Sequence, residues 1–249
     1  MQYLSSEYPT TFFGWIIRLI KEYGLQIVYG IGRTLLLALV GTVVGLLIAI
    51  IFSLIKTKKI SKREPLGKVI VFKILKGIVH GYVTVVRGTP MLVQALIIHN
   101  LLKLIGFNIS PLVSGLVTVS LNTTAYLTEV LRGGIESVDD GQLEAARSIG
   151  MSNFKAMTYV VFPQAIKNAM ASIGNEFIVN VKDTSVLSVI GVIELYNATS
   201  MAGNKYYKVI EAMCIAAAIY LILTYTSSKI LKAIEKKIGS PVKEITSSN

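Results

Sequence analysis

Among 249 residues there is one cysteine, Cys214, and there are two histidines, His80 and His99. A single thiol excludes an internal disulfide, and its place in an apolar run predicts a packed thiol. Two distant histidines give no metal-ligand spacing, so a metal site is not expected. Charge is scarce as well, with 16% charged residues against 53% hydrophobic. A soluble domain carries roughly 25% charged residues, so this chain cannot coat a soluble surface. Disorder is excluded by the same figures. Acidic residues are the scarcer sign, 14 against 25 lysines and arginines. The net charge of +11 does not indicate nucleic acid, because the lysines gather where apolar runs end and no basic stripe alternates with aromatics. The first fifteen residues lack a basic start followed by a long apolar core, so no signal peptide is expected there.

What is present is a series of long apolar runs, with a mean hydropathy of +0.62. They do not alternate as strands of a membrane barrel would, so an all-α polytopic membrane protein is expected. Residues 34–55 carry no charge and form the first span. Gly41 and Gly45, four apart, mark a face that lets another helix approach closely. Residues 1–33 are an interfacial or lead-in segment with Trp15 as an anchor. A second apolar region, 69–104, is cut by Arg87-Gly88-Thr89-Pro90, which predicts a long helix kinked or unwound at 87–90. Residues 112–131 and 163–182 are the third and fourth spans. Residues 184–193 are apolar but too short to cross, and fit a re-entrant or outer segment. Residues 209–228 are the fifth span. The transmembrane domain thus covers 34–231, and 232–249 is a polar cytoplasmic tail. Six lysines and arginines between 56 and 68 put that loop inside, so the N-terminus faces outward and the C-terminus inward.

The polar stretch 132–160 is long for a helix connection. Within it, EAARSIGMSNFKAMTYVVFP (144–163) reads as a short amphipathic helix, a stop at Gly150, and a second helix ending at Pro163. Such a helical cytoplasmic knob is suited to docking another protein. No G-x-x-x-x-G-K-[ST] occurs, so ATP binding by this chain is not expected.

Charges inside a membrane usually face a cavity or a partner. Arg87 offers a planar fork for a carboxylate. Glu129 and Glu176 offer acceptors for an ammonium. Asn122, Tyr126 and Glu129 share a helix face, with Thr123 beside them. The alternative is structural: Arg87 bridging to a glutamate, and the Asn and Thr groups bonding helix to helix. Thr89, Pro90, Lys182 and Asp183 fit gate or structural roles. Met91, Gln94, Tyr206 and Tyr207 read as packing or interface residues.

The segment Glu144-Ala145-Ala146, with Gly150 and Pro163 following at fixed spacings, resembles the signature of permease subunits of ATP-binding-cassette importers. Val160 and Phe162 stand where Ile and Leu are usual. Three further pieces resemble the polar amino-acid branch: Arg87 to Gln94, Ala125 to Glu129 running on to Ile135, and Gly174 to Phe177 with Lys182 to Ser185. The resemblance implies about five spans with a cytoplasmic coupling helix, as in type I importers. It implies pairing with a second permease subunit, identical or a close paralogue, around a central pathway. Separate ATPase subunits would hold ATP and Mg. An extracytoplasmic binding protein would deliver a glutamine-, arginine- or histidine-type amino acid. Glu144, Ala145, Ala146 and Gly150 would contact the ATPase. The competing reading is a gradient-driven carrier with Glu129 or Glu176 as ion site. Five spans without an internal repeat argue against it. An intramembrane enzyme is disfavoured by the lack of H-E-x-x-H and G-x-S-x-G.

Overall fold

The computed structural model describes residues 8–58 and 65–238. Lys59, Lys62 and Arg63 of the basic loop, the first seven residues, and the tail from 239 lie outside that range. Every regular element among the described residues is helical.

Helix α1, Phe12–Thr57, runs unbroken for 46 residues. At 1.5 Å per residue that is about 69 Å, more than twice a hydrocarbon core. The segment 12–33 therefore continues the helix of the first span. Its buried positions Ile27, Thr34, Ala38, Thr42, Ala49 and Ser53 recur at helical spacing, giving one continuous inward stripe. Helix α2, Leu66–Arg87, ends at Gly88, and α3, Met91–Leu104, begins after Pro90. The break falls where the sequence predicts one, but it separates two helices and is not a kink in one. Gly88 N–H still bonds Thr84 O at 3.0 Å and Thr89 Oγ1 donates to Val85 O at 2.9 Å. The Pro90 carbonyl then accepts from Val93 and Gln94, so the unwound turn satisfies its own backbone.

Helix α4 is Pro111–Glu136 and α5 is Asp140–Ser148. Helix α6, Asn153–Ala156, passes through a π-helical turn, Met157–Val161, into α7, Phe162–Asp183. Pro163 thus does not end a helix. Phe162 N–H bonds Met157 O, five residues back, and this widened turn accommodates a proline that has no N–H to give. A short 3₁₀ segment, Thr184–Ile190, leads to α8, Leu195–Lys205, and then α9, Val209–Ile238.

Helices α1, α2 and α9 are long and apolar enough to cross a membrane. Helices α4 and α7 are long enough, at 26 and 22 residues, but more polar. In α4 the polar side chains turn inward: Ser114, Thr118, Ser120, Asn122, Thr123, Thr124 and Thr128 are all buried. Low hydropathy here reflects a helix surrounded by protein.

The chain divides into two compact units. The first takes the described residues up to 42, with 90–120 and 178–226. In it Leu19 and Ile27 of α1 pack on Leu195, Ala202, Ala212 and Ile215, while Leu37, Ala95, Val119, Leu187, Ile190 and Val192 form a second cluster. Gly41 meets α4 here: a Cβ added at Gly41 would stand 2.4 Å from Val119 Cγ1. The second unit takes 43–89, 121–177 and the described residues from 227. Its clusters join Ala49 to Leu127, Leu131, Ala169 and Ile173, Val79 and Val83 to Ala125, and Ile135 to Val161 and Ala165. Thr124 Oγ1 donates to the carbonyl of Gly45 at 3.4 Å.

Two side chains sit otherwise than the sequence predicts. Cys214 is exposed on α9, because an apolar run in a membrane helix does not tell which face looks inward. Trp15 is only 8% exposed, stacks on Tyr8 and packs at a tilt against Tyr206, so it is packed within the protein. Tyr206 shares that packing, whereas Tyr207, at φ 56°, is 94% exposed.

Candidate functional site

Within the second unit, α1, α2 and α4 line an open cavity of about 470 Å³. Its polar lining is Lys56, His80, Thr84, Arg87, Tyr126 and Glu129, with Val83 and Gly88 completing the wall. Tyr82 fixes α2 against α4 by donating to the carbonyl of Leu121 at 2.5 Å. Phe52 of α1 packs edge-on against the Tyr82 ring, with centroids 5.5 Å apart. These contacts set the three walls.

The structure brings Arg87, Tyr126 and Glu129 into this one cavity. The Arg87 guanidinium lies 5.3 Å from the Tyr126 ring centroid, in cation–π range. Glu129 does not pair with Arg87. Its Oε1 accepts from Lys56 and its Oε2 from Arg132 at 2.8 Å. Arg132 in turn holds Glu136 at 2.5 Å. Lys56 and Glu129 side chains are only 14% and 18% exposed, so this pair is little screened by water. Asn122 and Thr123 are buried and do not line the cavity, and neither does the half-buried Glu176. Lys182 and Asp183 are exposed at the end of α7. Sequence reasoning missed Lys56, because it reads as the first charge of a basic loop. Its place as the first charge after an uncharged run was the available signal.

The polar connection forms a second candidate site. Asp139 caps α5 by accepting from Gly141 N–H at 2.7 Å, and Asp140 lies in the first turn and Arg147 in the last. Both suit the helix dipole. Gly150 ends α5 at φ +89°. Its N–H bonds Arg147 O at 3.0 Å, and Met151 N–H bonds Ala146 O at 3.1 Å. This is a Schellman closure, which a glycine at that φ permits without strain. Ala146 is buried while Glu144 and Ala145 face out. Ile149, Phe154 and Tyr159 are 80%, 77% and 71% exposed. Large apolar groups so exposed on a polar connection mark a contact surface.

The first unit carries a buried carboxylate that the sequence did not single out. Glu194 is fully buried and caps α8, accepting from Tyr196 and Asn197 N–H at 2.9 and 2.8 Å. Tyr220 OH donates to it at 2.7 Å, and Arg33 bonds the Ile193 carbonyl at 3.1 Å. Glutamate is not a favoured N-cap, which is why the sequence hides it. Near the other end of α8, Glu22 accepts from Lys205 at 3.0 Å and from Tyr206 at 2.6 Å. Hydrogen bonding to Tyr23 and Glu22 holds the Lys205 ammonium well above the ordinary lysine value.

Taken together, bundled apolar helices, a polar cavity among them and a capped helical connection with an exposed apolar face define a multi-pass membrane permease. Residues 66–239 match the family of binding-protein-dependent transport system inner membrane components, and the chain belongs to that family. It is the permease subunit of an ATP-binding-cassette importer of the inner membrane, a class that works with an ATPase and a binding protein. The nopaline transport system permease protein NocM of Agrobacterium fabrum is 32% identical over 229 residues, covering 88% of this chain and 90% of that one. The arginine transport system permease protein ArtQ of Bacillus subtilis is 35% identical over 215 residues, covering 86% and 93%. A crystal structure of an amino acid ABC transporter with histidines matches with a TM-score of 0.76 and 38% identity, covering 88% of this chain and 96% of that one.

Proposed function

We propose that this subunit forms the pathway for a polar amino acid of the glutamine, arginine or histidine type, driven by ATP hydrolysis on a partner chain. The observation that carries this reading is the cavity that places Arg87, Tyr126 and Glu129 together. A zwitterion needs a cation for its carboxylate and an acceptor for its ammonium. Arg87 offers the first and Glu129 the second. Asn122, Thr123 and Glu176 act one layer away, as helix-to-helix polar contacts. Thr89 and Pro90, at the unwound turn, and Lys182 and Asp183, at the end of α7, are the gate or structural elements. The names of the relatives above, arginine and nopaline among them, support the amino-acid class.

ATP and Mg belong to the ATPase subunit, and this chain carries no catalysis of its own. Its coupling contact is α5 and the Gly150 turn, through Glu144, Ala145 and Ala146, with Ile149 and Phe154 as apolar anchors. A second permease subunit, the same chain or a close paralogue, completes the pathway. The N-terminus faces out and the C-terminus the cytoplasm, by the bias of lysine and arginine.

The test is coexpression with the ATPase and reconstitution into proteoliposomes with binding protein supplied. Radiolabelled glutamine, arginine and histidine uptake is then measured. Saturable uptake of one of them that requires ATP is expected. Uptake that ignores ATP and follows a proton or sodium gradient would overturn the reading.

A further inference from the structure

Both oxygens of Glu129 already hold a cation, one accepting from Lys56 and the other from Arg132, so an arriving ammonium or guanidinium meets a carboxylate whose charge is already paired and must compete for it. The two partners are not equivalent. Arg132 lies three residues along the same helix and is tied on its other side to Glu136. It does not line the cavity. Lys56 comes from a different helix, next to last in α1, and does line the cavity. Its ammonium sits on a flexible four-carbon stem, while Arg132 is held in a planar fork. When a cation competes for Glu129, Lys56 is the partner that gives way.

We infer that Lys56 is a tethered counter-ion for Glu129 that sets how strongly the pathway takes cationic over neutral amino acids. This rests on the cavity being the substrate site. With Lys56 in place the cavity holds Lys56 and Arg87 against one carboxylate. A substrate with a cationic side chain must displace the ammonium and then share the cavity with it. A neutral amino acid brings only the α-ammonium that every substrate carries, so its side chain adds no second exchange. Removing the lysine charge leaves Glu129 ionised through Arg132 and frees its Oε1 toward the cavity. The side chain of Lys56 is a specificity element of the pathway, and its effect falls on one class of substrate.

The experiment uses the complete transporter with its ATPase in detergent, without binding protein, so that the affinity read is that of the membrane site. Equilibrium binding of radiolabelled arginine and glutamine is measured for wild type, Lys56→Met, Lys56→Arg and Glu129→Gln. Lys56→Met is expected to shift the arginine-to-glutamine affinity ratio toward arginine by roughly tenfold, the scale of one charge removed from a partly wet cavity. Lys56→Arg keeps the charge and does not move the ratio toward arginine, and Glu129→Gln weakens arginine more than glutamine. A purely structural ion pair would instead weaken both ligands together. An unchanged ratio in Lys56→Met overturns the inference. Arg87→Ala and Tyr126→Ala separate the two levels. If they weaken both amino acids while Lys56→Met leaves the ratio alone, only the role of Lys56 falls. If they leave both affinities untouched, the cavity reading falls, and the inference with it.

Discussion

At the scale of single residues, the buried Glu194 carries several contacts at once. It satisfies two α8 backbone donors and the Tyr220 hydroxyl. Glu194→Ala would take this acceptor from three partly buried donors, a loss of roughly 2–3 kcal/mol. Glu194→Gln keeps one acceptor oxygen and should cost about half that. Thermal unfolding in detergent should therefore rank wild type above Gln above Ala. Equal melting points for Gln and Ala would show that the cap does not depend on a retained oxygen. Gly150 is the other decisive single residue. No atom would meet an added Cβ, yet its φ is +89°, so Gly150→Ala is strained by backbone alone, by about 1 kcal/mol. That is too little to unfold the protein but enough to shift the turn that closes α5. ATP-driven uptake should fall several-fold with membrane insertion unchanged, and Glu144→Ala should uncouple in the same way. Normal coupled uptake in both variants would remove this turn from the coupling contact.

At the scale of elements, the contact between α1 and α4 near Gly41 depends on a missing side chain. A Cβ at Gly41 would fall 2.4 Å from Val119 Cγ1 and 2.9 Å from its Cβ, distances that force a shift. Gly41→Ala is expected to cost about 1–3 kcal/mol as an overpacked core. Val119→Ala alone opens a small void. The double variant should recover part of the loss, because Val119→Ala removes the 2.4 Å contact while the 2.9 Å approach to Cβ remains. Additive losses in melting temperature would mean the helices do not meet there. This contact was legible beforehand in the four-residue spacing of Gly41 and Gly45. The break at 88–90 was legible for a similar reason, since Pro90 and its neighbours restrict the backbone locally. The fate of Pro163 was not. Proline is read as a helix end from sequence, but a π-helical turn just before it lets α6 and α7 run on as one helix. That turn depends on packing of Val161 and Ala165 against Ile135, which no local window contains.

At the scale of the whole molecule, composition alone establishes a helical membrane protein, and ordered motifs along the chain indicate its class. Which charges meet which was not readable, because ion pairing joins positions far apart in sequence, as Lys56 and Glu129 are. Orientation lies between these cases. It follows from where lysine and arginine concentrate, and two exposed residues let it be measured. Phe154 lies on the connection predicted to face the cytoplasm, and Tyr207 on the α8–α9 turn predicted to face outward, with 77% and 94% exposure. In a Cys214→Ser background, Tyr207→Cys should react with a membrane-impermeant maleimide on intact cells. Phe154→Cys should react only after the membrane is opened, and more slowly when the ATPase is bound, because the exposed apolar face of α5 and α6 is then covered. The reverse labelling order would invert the topology. Equal labelling of Phe154→Cys with and without the ATPase would leave the topology intact and move the docking surface away from Phe154.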